Sequence, residues 1–163
     1  MSNLLYRIGS SYDIHQLVEG GGFKLGGIYI KCPYKVIAHS DGDVVFHALS
    51  EAILGSLALG DLGKFFPPED DKYLNMDSSK ILLFTFDKLK EKGYEINNID
   101  LSIILEKPKL KTYIDEIRVN ISKLLNIEFD QISLKAMTNE KMDSLGQNKA
   151  VSCFATILIK KIN

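Results

Sequence analysis

The chain has 163 residues, 45% apolar and 25% charged, enough to bury a sizeable core without a covalent staple. Twenty lysines and arginines stand against 21 carboxylates, a net charge of −1, which excludes a chain-wide basic field for nucleic acid or an anionic membrane and leaves room only for a local basic pocket. Two cysteines, Cys32 and Cys153, exclude a disulfide framework and a zinc ribbon and read as buried thiols in a reducing compartment.

No apolar run reaches the roughly 18 residues of a membrane span. Met1 to Tyr6 lack the basic start and apolar stretch of a signal peptide, so the chain is expected to be made where it works or to have lost a targeting segment. There is no repeat, low-complexity tract or linker, and residues 1–163 read as a single domain. Ile8 to His15 predicts a strand, and Gly20-Gly21-Gly22 a turn. Phe23 to Ile30 alternates as a second strand, with a bend or bulge at Gly26-Gly27.

A helix follows, capped by Ser40 or Asp41, with Asp43 adding a carboxylate to its positive end. Val44, Ala48, Ala52 and Leu54 form its apolar stripe, which ends near Gly60. Asp61 to Asp71 reads as a loop. Asp77 or Ser78 opens a second helix that runs through Lys92 to Gly93. Ile99, Leu101, Ile103 and Leu105 alternate as a strand ended by Pro108. Ile114, Ile117, Ile121, Leu124 and Leu125 recur at helical steps. Ile132, Leu134 and Ala136 alternate again, and Val151 to Lys160, apolar on both faces in its middle, predicts a central strand. The order gives an α+β two-layer sandwich, with helices on one face of a mixed β-sheet. The other face still carries apolar side chains, and self-association is the simplest cover for it.

All three histidines fall within the first 47 residues. Asp13 and His15, two apart on a strand, leave it on the same side, and His47 lies one turn into the first helix. Two imidazoles and a carboxylate with no fourth protein ligand describe a catalytic zinc site with an open position. Spacing alone leaves equally open a chance Asp-x-His and a satisfied core histidine. His39 and Ser40 precede the same helix, where free N–H groups, an imidazole and a hydroxyl suit an anion; the plain alternative is a cap beside a surface histidine. Thr138-Asn139-Glu140 offers a hydroxyl for phosphate and a carboxylate for a hard cation, or simply a turn. Lys107, Lys109 and Lys111 form a basic loop or ordinary solvated charge. The residue chemistry by itself reaches a metal-assisted enzyme acting on a phosphorylated substrate.

The segments RIGSSYDIH, LGG, AHSDGDVVFHAL, ALGDLGKFFP and AMTNEKMDSLG, in this order, resemble the 2-C-methyl-D-erythritol 2,4-cyclodiphosphate synthase family of non-mevalonate isoprenoid biosynthesis. The resemblance runs from about Tyr6 to the last strand. It implies that Asp13, His15 and His47 bind one Zn²⁺ per subunit and that Glu140 binds Mg²⁺ or Mn²⁺. Asp13, His15, His39, Ser40, Asp61, Leu62, Gly63, Phe66, Pro67, Pro68, Glu69 and Asp70 would hold the substrate. Leu105, Glu106, Lys107, Pro108, Lys109, Leu110, Lys111, Ala136, Met137 and Thr138 would form the cytidine pocket, with His39 and Thr138 as catalytic groups. It also implies a homotrimer with active sites at subunit interfaces, working in a plastid or, in bacteria, in the cytoplasm. A metal-dependent phosphohydrolase and a non-catalytic cytidine-nucleotide-binding module would carry many of the same residues.

The chain departs from well-known bacterial members at Asp143 to Gln147 (DSLGQ), where those members have GFTGR. Ser144 and Gln147 thus replace an aromatic residue and an arginine near the trimer axis, and this version looks like that of plastid members. Weak binding of an isoprenoid diphosphate at the axis is expected, with Lys149 as a candidate substitute for the charge.

Overall fold

The computed structural model describes residues 5–67 and 69–162. Seven strands and four α-helices follow in the order β1 (Tyr6–Glu19), β2 (Gly22–Leu25), β3 (Ile28–Lys31), β4 (Tyr34–Ile37), α1 (Val44–Ser56), α2 (Ser78–Glu91), β5 (Tyr94–Ile104), α3 (Ile114–Leu125), β6 (Ile132–Met137), α4 (Asp143–Gly146) and β7 (Ala150–Lys161). The main sheet has the order β4-β1-β7-β5-β6. Its pairs are antiparallel except β5 with β6, so the sheet is mixed and β7 is central, as its two-sided apolar middle predicts. The helices cover one face, over a core that includes Leu49, Ile53, Leu101, Ile103, Val151 and Ile157. On the other face Ile8, Tyr12, Ile14 and Phe154 stay exposed, the Tyr12 and Phe154 rings packing at 4.5 Å.

Phe23 to Ile30 is a hairpin rather than one bent strand. Gly26 and Gly27 both take positive φ (57° and 79°), which suits a two-residue turn, so β2 and β3 form a separate small sheet. Packing by the Ile117 side chain adds to the requirement, because a Cβ on Gly26 would lie 2.4 Å from Ile117 Cγ2. β4, not foreseen from sequence, is the edge strand beside β1. α1 is capped by neither Ser40 nor Asp41 but by Asp43, whose Oδ1 accepts from Val45 N and Phe46 N at 3.1 Å. The same carboxylate accepts from Gly26 N (2.9 Å) and Gly27 N (2.7 Å), tying the hairpin turn to the helix start. Burial pushes the Asp43 carboxyl up, while these N–H groups pull against that shift. α1 ends at Ser56 rather than near Gly60, because Ala58 turns to φ 57° and its N–H returns to Gly55 O. The expected loop after Met137 contains the short α4.

The packing of α1 on β1 places the site. Arg7 Nε donates to Ser56 O and Ser11 Oγ to Ala48 O, each at 2.5 Å, while a Cβ on Gly9 would fall 1.9 Å from Ala52 O. Alternate strand residues thus meet successive turns of a helix running the opposite way, because two strand residues (about 6.7 Å) nearly match one helical turn (about 5.4 Å). Asp13, the next alternate residue of β1, meets the side chain of His47, which stands one residue before Ala48 on α1.

Candidate active site

Asp13 and His15 leave β1 on the side facing α1, and His47 meets them one turn beyond the Asp43 cap. His15 Nε2 lies 3.1 Å and His47 Nδ1 3.3 Å from Asp13 Oδ2, and the two ring nitrogens are 3.0 Å apart. These atoms all lie within 4.8 Å of one another, the one group of its kind among the described residues. Asp13 Oδ2 is buried with no directed hydrogen bond. A buried carboxylate oxygen without a donor, facing two imidazole nitrogens, fits a divalent cation at their centre. Burial raises the Asp13 carboxyl, but the adjacent His15 and His47 rings more than reverse this and hold it well below the usual carboxylate range.

The group opens into a cleft of about 490 Å³ lined also by His39, Ser40, Glu51, Leu62, Phe66 and Tyr73. Ser40 Oγ lies 3.0 Å from His47 Nε2 and accepts from Gly42 N at 3.2 Å. Of the remaining residues expected on the substrate side, Leu62 and Phe66 reach the cleft. Phe66 is held edge-on by Tyr73 and Phe84. Asp61, Gly63, Pro67, Glu69 and Asp70 stand beside the lining: Asp61 caps the turn at Leu62–Lys64, and Asp70 pairs with Lys72 at 2.8 Å. Pro68 lies outside the described residues.

A second cleft of about 400 Å³ is lined by Leu105, Lys109, Leu110, Lys111, Ala136, Met137 and Thr138. Glu106, Lys107 and Pro108 shape its loop without lining it. Glu106 accepts from Asn139 N at 3.2 Å, Lys107 N donates to Asn148 Oδ1 at 2.9 Å, and the Lys107–Pro108 bond is cis. Glu140 is exposed, accepts from the Thr138 hydroxyl at 3.1 Å and is not part of the Asp13 group. His39 and Thr138 therefore sit in different clefts, and no residue lines both. Gln147 and Lys149 are both exposed.

Sequence reasoning missed three residues. Glu51, one turn past His47 on the same helix face, accepts from Leu62 N at 3.0 Å, and the i, i+4 spacing was the available signal. Ser78, at the first position of α2, lies 2.9 Å from His47 Nε2, and Asp41 accepts its hydroxyl hydrogen. No local pattern announces either of these contacts.

A carboxylate and two imidazoles converge in a cleft also lined by His39 and Ser40, on an α+β sandwich, an arrangement compatible with a divalent metal in an enzyme's active site. The chain matches the YgbB family over residues 6–160 and belongs to it. It is 47% identical over 155 residues to the 2-C-methyl-D-erythritol 2,4-cyclodiphosphate synthase of Brachyspira hyodysenteriae, covering 95% of this chain and 98% of that one. It is 43% identical over 157 residues to the enzyme of the same name from Haemophilus ducreyi, covering 96% and 98%. The solved IspF of Plasmodium falciparum in complex with CDP superimposes with a TM-score of 0.87 at 37% identity, covering 99% of this chain and all of that one. The bifunctional IspDF of Campylobacter jejuni gives a TM-score of 0.93 at 34% identity over 97% of this chain, which spans 43% of the length of that protein. No helix among the described residues is long and apolar enough to cross a membrane.

Proposed function

We propose that this chain converts 4-diphosphocytidyl-2-C-methyl-D-erythritol 2-phosphate into 2-C-methyl-D-erythritol 2,4-cyclodiphosphate and CMP. An oxygen of the 2-phosphate bonds to the β-phosphorus, the bond from that phosphorus to the bridging oxygen breaks, and CMP leaves with the electron pair. The observation that carries this reading is the Asp13, His15 and His47 group with its orphaned carboxylate oxygen, in a chain of this family.

The attacking phosphate is already an anion, so the site needs no strong base. Its task is to hold two anions in line and spread the developing charge. Asp13, His15 and His47 would hold Zn²⁺, which supplies Lewis-acid neutralisation of phosphate oxygens when bound. His39 and Ser40 orient the phosphate end, Asp61 to Gly63 take the methylerythritol part, and Phe66, Pro67, Glu69 and Asp70 belong to the substrate-binding loop. Residues 105–111 and 136–138 hold the cytidine. His39 and Thr138 donate hydrogen bonds to the reacting phosphates, and Glu140 would hold Mg²⁺ or Mn²⁺, which would supply further neutralisation of phosphate charge.

The separation of His39 from Thr138 supports a homotrimer in which one subunit's first cleft meets its neighbour's second, and the exposed face with Ile8, Tyr12, Ile14 and Phe154 supplies an apolar contact for it. The site of action would be a plastid or a bacterial cytoplasm. Mass spectrometry of the products tests the reading: cyclic diphosphate and CMP in equal amounts are expected, and inorganic phosphate without cyclic product would contradict it.

A further inference from the structure

We infer that Ser78 and Asp41 act as a positioning relay that fixes the ring tautomer of His47 and so presents its Nδ1 lone pair to a metal. This rests on the metal reading of the Asp13, His15 and His47 group given above.

The inference follows from counting hydrogens. Ser78 is fully buried at the start of α2, and its hydroxyl has a single hydrogen, which it donates to Asp41 Oδ1. Asp41 faces the Lys24 ammonium with its other oxygen at 3.3 Å, and an ionised carboxylate can only accept. The Ser78 oxygen therefore has only lone pairs to offer His47 Nε2, 2.9 Å away. That contact is a hydrogen bond only if Nε2 carries the hydrogen, which leaves Nδ1 of the neutral ring with its lone pair exposed. Nδ1 is the nitrogen that faces Asp13 Oδ2 and His15 Nε2. The opposite tautomer would turn an N–H into the ligand group and set two lone pairs against each other at Ser78.

The relay also orients Ser40. Its Oγ lies 3.0 Å from the same Nε2 and accepts from Gly42 N, so the single Nε2 hydrogen is shared between Ser78 and Ser40 in a three-centre bond and the Ser40 hydrogen is released toward the cleft that Ser40 lines. One proton placement thus prepares a metal ligand and an anion donor together. Partners of this kind behind a ligating histidine typically change metal affinity by about 10- to 100-fold when removed.

The test combines zinc affinity, by competition with a chromogenic chelator, with long-range ¹⁵N NMR of the histidine rings in the metal-free full chain. The expected wild-type result is His47 as the Nε2–H tautomer. Ser78→Ala should weaken zinc binding about 10- to 100-fold and give a mixture of tautomers. Asp41→Ala should go further, because the released Ser78 hydrogen turns toward Nε2 and drives the ring to the Nδ1–H form. The wild-type tautomer is read without any variant, so misfolding of a variant does not remove the test. An Nδ1–H ring in the wild-type chain overturns the relay, as do two variants that bind zinc within twofold of it. In the latter case, tight zinc binding by the wild-type chain leaves the metal site standing, whereas a wild-type chain that takes up no zinc overturns the site itself.

Discussion

Asp13 and Ala136 stand on one row of the sheet: Asp13 pairs with Cys153, Cys153 with Ile103, and Ile103 with Ala136. Three strand spacings set them about 14 Å apart. Cys153 and Ile103, between them, are fully buried beneath the helices. One end of the row carries the candidate metal group and the other lines the second cleft, so within one chain the two clefts are held apart.

If neighbouring subunits supply the two halves, inactive variants should complement each other. His47→Ala damages the first cleft and Thr138→Ala the second, and co-refolding the two creates interfaces that pair an intact His47 with an intact Thr138. Recovered turnover is expected in the mixture and not in either variant alone. A mixture as inactive as its parts would place both clefts of one site in the same chain.

Each chain should bind one zinc ion, and His47→Ala should lose it while keeping the fold. Alanine is a better helix former than histidine, and the His47 side chain already borders the cleft, so stability should move by no more than about 1 kcal/mol. Elemental analysis and urea unfolding check the two halves of this expectation. Collapse of α1 would make His47 a packing residue.

Glu51 predicts a pH effect. Burial pushes its carboxyl up, against the pull of Leu62 N–H, and the nearby Asp61 and Asp13 charges push the same way as burial. A raised folded-state value means that the folded chain holds this proton more tightly than the unfolded chain. Its contribution to stability is therefore present below the ordinary glutamate value of about 4.3 and is lost as pH rises through the folded value. Glu51→Gln keeps an acceptor for Leu62 N and should be at least as stable as wild type at pH 7, the gap closing toward pH 4. Urea midpoints at the two pH values measure it, and a gap that widens on acidification would reverse the sign.

Glu140→Gln keeps size and loses charge, so it should shift the Mg²⁺ or Mn²⁺ titration of turnover to higher concentration while leaving zinc content unchanged. An unaltered titration would leave Glu140 as a turn residue bonded to Thr138.

Much of this was legible because the signals are local. Asp13 and His15 obey the strand period, and Val44, Ala48 and Ala52 obey the helix period, so both carriers of the ligand group could be placed on their elements. The single-strand reading of Phe23 to Ile30 fails because no polar residue separates Leu25 from Ile28, although the apolar positions change parity across Gly26-Gly27, from Phe23 and Leu25 to Ile28 and Ile30. A Gly-Gly pair between apolar runs is itself a turn signal. Asp43 was read as a charge near the helix start, yet its larger role, holding Gly26 and Gly27, depends on a chain segment 16 and 17 residues away. Ser78 was visible as a helix start, but its contact with His47 spans 31 residues and exists only once α2 packs on α1.

The central claim is that a phosphate of the substrate, and not water, attacks the β-phosphorus. Turnover in ¹⁸O-enriched water tests it most directly, by mass spectrometry of CMP and the cyclic product. Intramolecular cyclisation predicts natural oxygen composition in both, with no inorganic phosphate. An ¹⁸O-labelled linear methylerythritol bisphosphate in place of the cyclic product, with CMP unlabelled, would show that water attacks the β-phosphorus and contradict the account.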